Sequence, residues 1–261
     1  MRACIGLWVV LIALIWQGAG AGPILLDTFD DPLPRNYYWG VAGPRVVRVD
    51  AGKTTNRADQ AGLPGVHNAG VPGNRTTFLT LTSAGDDGIG AQAATSLGSL
   101  VFSNDDGQTS KLRLDYGTYS QDGRELDVAG NLGRLEDLNF FYCVNRADTS
   151  SFMDLEITTG GGADIFSTAS VFPGGVPLPS VPEGGPAYVF RIFALSLRNG
   201  SNAAPTLDDM ADIDGIRTRL WTTRMSGDMN IGSFGLDVPE PATLTLLGLG
   251  ALALVRRRRK S

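Results

Sequence analysis

Short apolar runs with a period of two dominate the middle of the chain. In Lys111-Leu112-Arg113-Leu114-Asp115-Tyr116, the residues Leu112, Leu114 and Tyr116 share one face. Over residues 152–157, Met153, Leu155 and Ile157 lie on one side and Asp154 and Glu156 on the other. Ile216, Thr218 and Leu220 alternate in the same way with Arg217 and Arg219. This is the pattern of half-buried strands in an antiparallel sheet, with the charges on the solvated face. Residues 138–144 and 188–195 are apolar at successive positions and predict central strands covered on both faces. Further strands are predicted at 24–29, 45–49, 77–81, 97–102 and 229–236. No segment of the body holds a helical period over twelve residues or more.

The breaks carry turn chemistry. Asp86-Asp87-Gly88, Asp105-Asp106-Gly107 and Gln121-Asp122-Gly123 fit hairpin turns, and Gly160-Gly161-Gly162 reads as a flexible loop. The Gly- and Asn-rich stretch 51–74 is expected to be a long loop, and the Pro- and Gly-rich stretch 172–186 an irregular connection. About nine to eleven strands with such spacing predict an all-β fold, a single β-sandwich of jelly-roll type. Strand order is not legible from the pattern.

Both ends depart from it. Residues 1–21 have Arg2, an apolar run over 5–16 and the small-x-small pattern Ala19-Gly20-Ala21, which together predict a signal helix cleaved between Ala21 and Gly22. Gly22-Pro23 breaks any continuing helix, which argues against an uncleaved anchor. At the other end, Val238-Pro239-Glu240-Pro241 is a rigid, extended tetrapeptide. Residues 242–255 follow without a charge, then Arg256-Arg257-Arg258-Arg259-Lys260. As a transmembrane helix, 242–255 would be about 21 Å long. That is short of a hydrocarbon core of about 30 Å, a marginal span that suits a temporary anchor. The basic run is a cytoplasmic stop by the positive-inside rule. The chain thus divides into a signal peptide (1–21), an extracytoplasmic sandwich (22–237) and a C-terminal segment (238–261).

That last segment resembles the PEP-CTERM sorting domain of Gram-negative bacteria, with its three parts present in order. The resemblance implies recognition by an exosortase, an integral-membrane processing enzyme, with Pro239, Glu240 and Pro241 as the motif and cleavage at or near it. It also implies association with extracellular polysaccharide and biofilm matrix. The catalytic residues would belong to the exosortase, and this chain would be its substrate. The competing reading is an ordinary single-pass tail anchor. The opening Leu25-Leu26-Asp27-Thr28-Phe29-Asp30-Asp31 and the stretch 125–163 are loosely similar to surface sandwich modules and define no activity.

Charge narrows the partners. The whole chain carries 22 basic and 27 acidic residues, but without Arg2 and the basic tail the segment 22–255 has 16 against 27, a net of −11. Such a body does not favour nucleic acid or anionic lipid. Cys4 lies in the signal and leaves Cys143 alone in the mature chain, so no internal disulfide forms and stability rests on the core.

Catalytic chemistry is sparse. His67 is the only histidine and sits in a Gly/Pro/Asn-rich stretch, which excludes histidine-based zinc clusters. No G-x-S-x-G elbow is present. Cys143 reads as buried filler in an apolar strand. Glu125, Glu136, Glu156 and Glu183 sit in no glycosidase motif. Asp105, Asp106, Asp208 and Asp209, with Asp86, Asp87, Asp212 and Asp214, offer weak calcium candidates without EF-hand spacing; turn-forming surface acids explain them equally well. Tyr37-Tyr38-Trp39 and Trp221 are candidate sugar-stacking aromatics, against edge or core packing. The expectation is an exported, non-enzymatic surface or matrix protein with a structural or adhesive role and no required cofactor. It would be handled by the secretion machinery and exosortase and held in the inner membrane by its tail before processing. The alternative is a carbohydrate-binding module for matrix polysaccharide; a weaker third reading is a secreted hydrolase.

Overall fold

The computed structural model describes residues 23–29, 46–49, 55–63, 73–83, 91–96, 98–104, 108–120, 126, 132, 134–223 and 227–238. They form two seven-stranded sheets in which every strand pairing is antiparallel. The strands are β1 (Ile24–Asp27), β2 (Val46–Val49), β3 (Thr55–Leu63), β4 (Gly73–Ser83), β5 (Ala91–Ser96), β6 (Ser99–Ser103), β7 (Thr109–Gly117), β8 (Asn139–Ala147), β9 (Ser151–Thr159), β10 (Asp164–Ser167), β11 (Val176–Pro177), β12 (Tyr188–Phe193), β13 (Ile213–Thr222) and β14 (Asp228–Asp237). The first sheet runs β12-β8-β14-β6-β5-β2 with β1 on β14; the second runs β10-β9-β13-β7-β4-β3 with β11 on β9. A five-residue helix, α1 (Leu207–Ala211), precedes β13.

The alternating runs decide which face is inside. Leu112, Leu114 and Tyr116 of β7, Met153, Leu155 and Ile157 of β9, and Ile216, Thr218 and Leu220 of β13 are all buried. From the first sheet, Phe140, Tyr142 and Val144 of β8 and Ile231, Phe234 and Leu236 of β14 meet them. Phe234 sits in the middle, its ring centroid 4.6 Å from Tyr142, 5.9 Å from Tyr116 and 6.4 Å from Phe140. Polar bonds also cross the layer. Tyr142 donates its hydroxyl to Thr218 Oγ1 at 3.1 Å. Asp27 on β1 accepts from Arg75 of β4 at 2.5 Å and from the Tyr116 hydroxyl at 2.9 Å, and both charged side chains are fully buried.

Burial raises the tyrosines. Tyr116 and Tyr142 are pushed far above the ordinary phenol range by loss of solvent, and Tyr119 follows through burial and then the neighbouring Glu156. An unfolded tyrosine releases its proton near pH 10 while these keep theirs, so above that pH the unfolded state binds fewer protons and stability falls as pH rises. In an alkaline titration, at least three of the six tyrosines should therefore ionise only together with loss of β-sheet circular dichroism. Six independent ionisations near pH 10 with the sheet intact would contradict this burial.

Several expectations are corrected. The stretch 51–74 is not all loop: β3 occupies Thr55–Leu63 and β4 begins at Gly73. Residues 188–195 are not a central strand. Among the described residues β12 pairs only with β8, and Tyr188 and Phe193 are 49% and 54% exposed. An apolar run without alternation does not separate a covered strand from an apolar edge. The three Asp-Gly turn signals at 86–88, 105–107 and 121–123 lie outside the described residues, and the strands that flank each of them belong to different sheets instead of forming a hairpin. β4 and β7 are in one sheet, and β5, β6 and β8 in the other. The hairpin is instead at Gly160-Gly161-Gly162, where three successive residues at positive φ (61°, 68° and 84°) join paired β9 and β10. No helix among the described residues is long and apolar enough to cross a membrane. The expected signal helix at 1–21 and transmembrane helix at 242–255 lie outside them.

Candidate functional site

Two places combine position with chemistry: the C-terminal junction and the outer face of the first sheet. At the junction, β14 is a central strand, bonded to β8 on one side and to β6 and β1 in tandem on the other. Its last residue, Asp237, pairs with Asn139, and Val238 is buried at 3% exposure. The core therefore continues to the residue before Pro239. Pro239, Glu240, Pro241 and the basic run Arg256 to Lys260 lie beyond the described residues, as do Ala21 and Gly22.

On the first sheet, a polar cleft of about 490 Å³ lies over β5, β6, β14 and β8. Gln92, Ser103, Asn145 and Asn230 supply neutral donors and acceptors. Arg146 bridges two carboxylates, Glu183 at 3.2 Å and Asp228 at 3.3 Å. The turn Pro182–Gly185 forms one wall, closed by a Gly185 amide bond to the Pro182 carbonyl and held to β8 by the Ala147–Val181 bridge.

The outer face of the second sheet is ionic. Asp154 and Glu156 were expected to be solvated, yet their side chains are only 7% and 15% exposed. Arg219 bonds Asp154 at 2.5 Å and Glu156 at 3.0 Å, while Arg217 bonds Glu156 at 3.2 Å and Asp115 at 2.8 Å. Arg113 lies 3.7 Å over the Phe78 ring and Arg217 4.0 Å over Tyr119. Partial burial lowers the Arg113 guanidinium, opposed by Asp115. The alternation placed the two acids correctly on the outer face; the arginines that cover them come from β13, paired to β9 only in the fold.

The remaining candidates fall as follows. Asp105, Asp106, Asp86, Asp87, His67, Glu125 and Tyr37 to Trp39 lie outside the described residues. Asp209 caps α1, accepting from the Thr206 amide and hydroxyl at 2.7 Å each, and Asp208 is exposed in the first turn. Asp212 and Asp214 accept from the Gly160 and Gly162 amides and hold the β9–β10 turn. Among the described residues, no three His, Cys, Asp or Glu side chains are gathered to hold a metal ion. Cys143 is half-buried on the outward face of β8 rather than in the core. Trp221 stacks beside Phe152 with the Lys111 ammonium 4.8 Å over its ring. Its edge packs so close to Gly175 that a Cβ there would lie 2.3 Å from the indole. Its surface is engaged, unlike that of an open sugar platform. Glu136 is in an exposed turn near Arg134.

Residues 237–260 match the PEP-CTERM protein-sorting motif, the mark of exosortase substrates. No curated protein matches the chain. Among solved structures, the chain is similar to the family 11 carbohydrate-binding module of the cellulosomal cellulase Lic26A-Cel5E of Clostridium thermocellum. That likeness has 10% identity over 84% of this chain and 96% of the module, with a TM-score of 0.34. It is also similar to a family 61 carbohydrate-binding module in complex with β-1,4-galactotriose (11%, 73% and 86%, TM-score 0.29). A third likeness is to the glycoside hydrolase domain of Endo-D from Streptococcus pneumoniae (13%, 64% and 22%, TM-score 0.31).

Proposed function

We propose that this chain is an exported protein whose non-catalytic sandwich body is delivered to the cell surface or matrix, where it has a structural or adhesive role, by exosortase cleavage at Pro239-Glu240-Pro241. The observation that carries the reading is the overlap at Asp237 and Val238. The sorting motif begins on the last residue of a central strand, Asp237, and continues through the buried Val238, so body and signal meet without a spacer. Cleavage at or after Pro239 leaves every ladder bond of β14 in place. Support for a non-catalytic body comes from its acids: the carboxylates of the cleft and of the second sheet's face are tied to arginines.

The test is expression in a host with and without an exosortase, followed by cell fractionation. Wild type should leave the inner membrane only when the enzyme is present, and Glu240→Ala should stay there. If Glu240→Ala is released as wild type is, the motif does not direct processing. The cleft on the first sheet favours a second reading, a body that also binds polysaccharide.

A further inference from the structure

The cleft owes its shape to two opposed bulges. β8 and β14 pair Asn230 with Arg146 but Ile231 with Val144, which leaves Asn145 as an extra residue on β8. Next, Ile231 pairs with Val144 but Ser233 with Cys143, which leaves Gly232 as an extra residue on β14. Val144 and Ala147 both face the core, so Asn145 and Arg146 are successive residues on the outer face. Strict alternation would have buried one of them. Gly232 makes room for the result. A Cβ at that position would lie 2.9 Å from Asn145 Nδ2. The Asn145 amide thus lies across β14 and donates to Asn230 Oδ1 at 3.1 Å. That bond takes one lone pair of the Asn230 carbonyl and leaves the Asn230 amide donors directed elsewhere. Asn145 itself is engaged: its amide also reaches Ser99 Oγ at 3.5 Å, and its carbonyl accepts from the Cys143 thiol at 3.9 Å.

The groups in the cleft select a ligand. Carboxamides and a hydroxyl each offer both a donor and an acceptor, as the hydroxyls of a sugar do. The single cation, Arg146, is already held between Glu183 and Asp228. An anionic ligand would approach two carboxylates, and a cationic one would have to displace the guanidinium. The volume falls within the roughly 300–1,000 Å³ of ordinary ligand sites. We propose that this cleft, with Gln92, Ser103 and Asn230 as its hydrogen-bonding groups and Asn145 orienting Asn230, binds a short stretch of an uncharged polysaccharide. The inference rests on the polysaccharide-binding reading and assigns it a site and a ligand charge. Arg146 is a positioning residue, holding Glu183 of the wall against Asp228 of the floor.

The test is affinity electrophoresis of the full-length chain, purified in a detergent without a sugar headgroup. The gels carry neutral polymers (dextran, pullulan, hydroxyethylcellulose, galactomannan) or anionic ones (alginate, hyaluronan). At least one neutral polymer should retard the wild type, and neither anionic one should. The double variant Gln92→Ala/Asn230→Ala should weaken that retardation at least tenfold with its β-sheet circular dichroism unchanged, since neither side chain is in the core. Arg146→Gln should weaken it less. Retardation that the double variant leaves intact would move the site elsewhere and leave polysaccharide binding standing. No retardation by any neutral polymer, or retardation by the anionic ones alone, would overturn both.

Discussion

Replacing Asp27 by alanine is expected to destabilise the folded chain by about 3–5 kcal/mol, the range for removing one partner of a buried ion pair. Asp27 is fully buried, and burial pushes its carboxyl above the usual carboxylate range while Arg75, the Phe29 amide and the Tyr116 hydroxyl pull it back. The alanine variant leaves the Arg75 guanidinium, equally buried and 5.4 Å over the Phe29 ring, without its carboxylate. The comparison that isolates the cause is the double variant Asp27→Leu/Arg75→Met. It removes both charges at similar volume and should lose much less than Asp27→Ala alone. Chemical denaturation of the three proteins reads it. A double variant as unstable as the single one would mean that the site matters for its shape and not for its charge balance.

The second large effect is expected at Phe234. Phe234→Ala should cost about 3–5 kcal/mol, the usual range for deleting a buried aromatic ring. The residue is 1% exposed and touches aromatic rings from both sheets. Phe193→Ala is the control, because that ring is 54% exposed on the edge strand β12 and its loss should fall within about 0.5 kcal/mol. Equal losses at the two positions would contradict the layer arrangement, with β14 at the centre and β12 at the edge.

Much of this was legible in the sequence wherever one face of a strand meets solvent. The inward residues of β7, β9 and β13 followed from alternation alone. The missed strands lacked that contrast. β5 is Ala-Gln-Ala-Ala-Thr-Ser, with small residues in place of large apolar ones, and β10 and β11 have only four and two residues. β3 is mostly polar. The Asp-Gly signals suggest turns, but a turn does not say whether the next strand joins the same sheet. That choice is made by burial against strands distant in sequence. The cleft was illegible for a related reason. Strict alternation would put Asn145 and Arg146 on opposite faces, and only the register against β14 shows the bulge that brings both outside. The junction was half legible: the motif was plain from residue 238 onward, whereas the burial of Val238 against the core was not.

The central claim is that exosortase removes the tail from a body that is complete at Val238. The most direct measurement is the intact mass of the exported protein from cells with and without the enzyme, together with its thermal midpoint. With exosortase, the mass should correspond to a chain ending within or just after Pro239-Glu240-Pro241, at an unchanged midpoint. Without it, residues through Ser261 should be retained. Equal masses in the two hosts, or a cut that falls inside β14, would contradict the account.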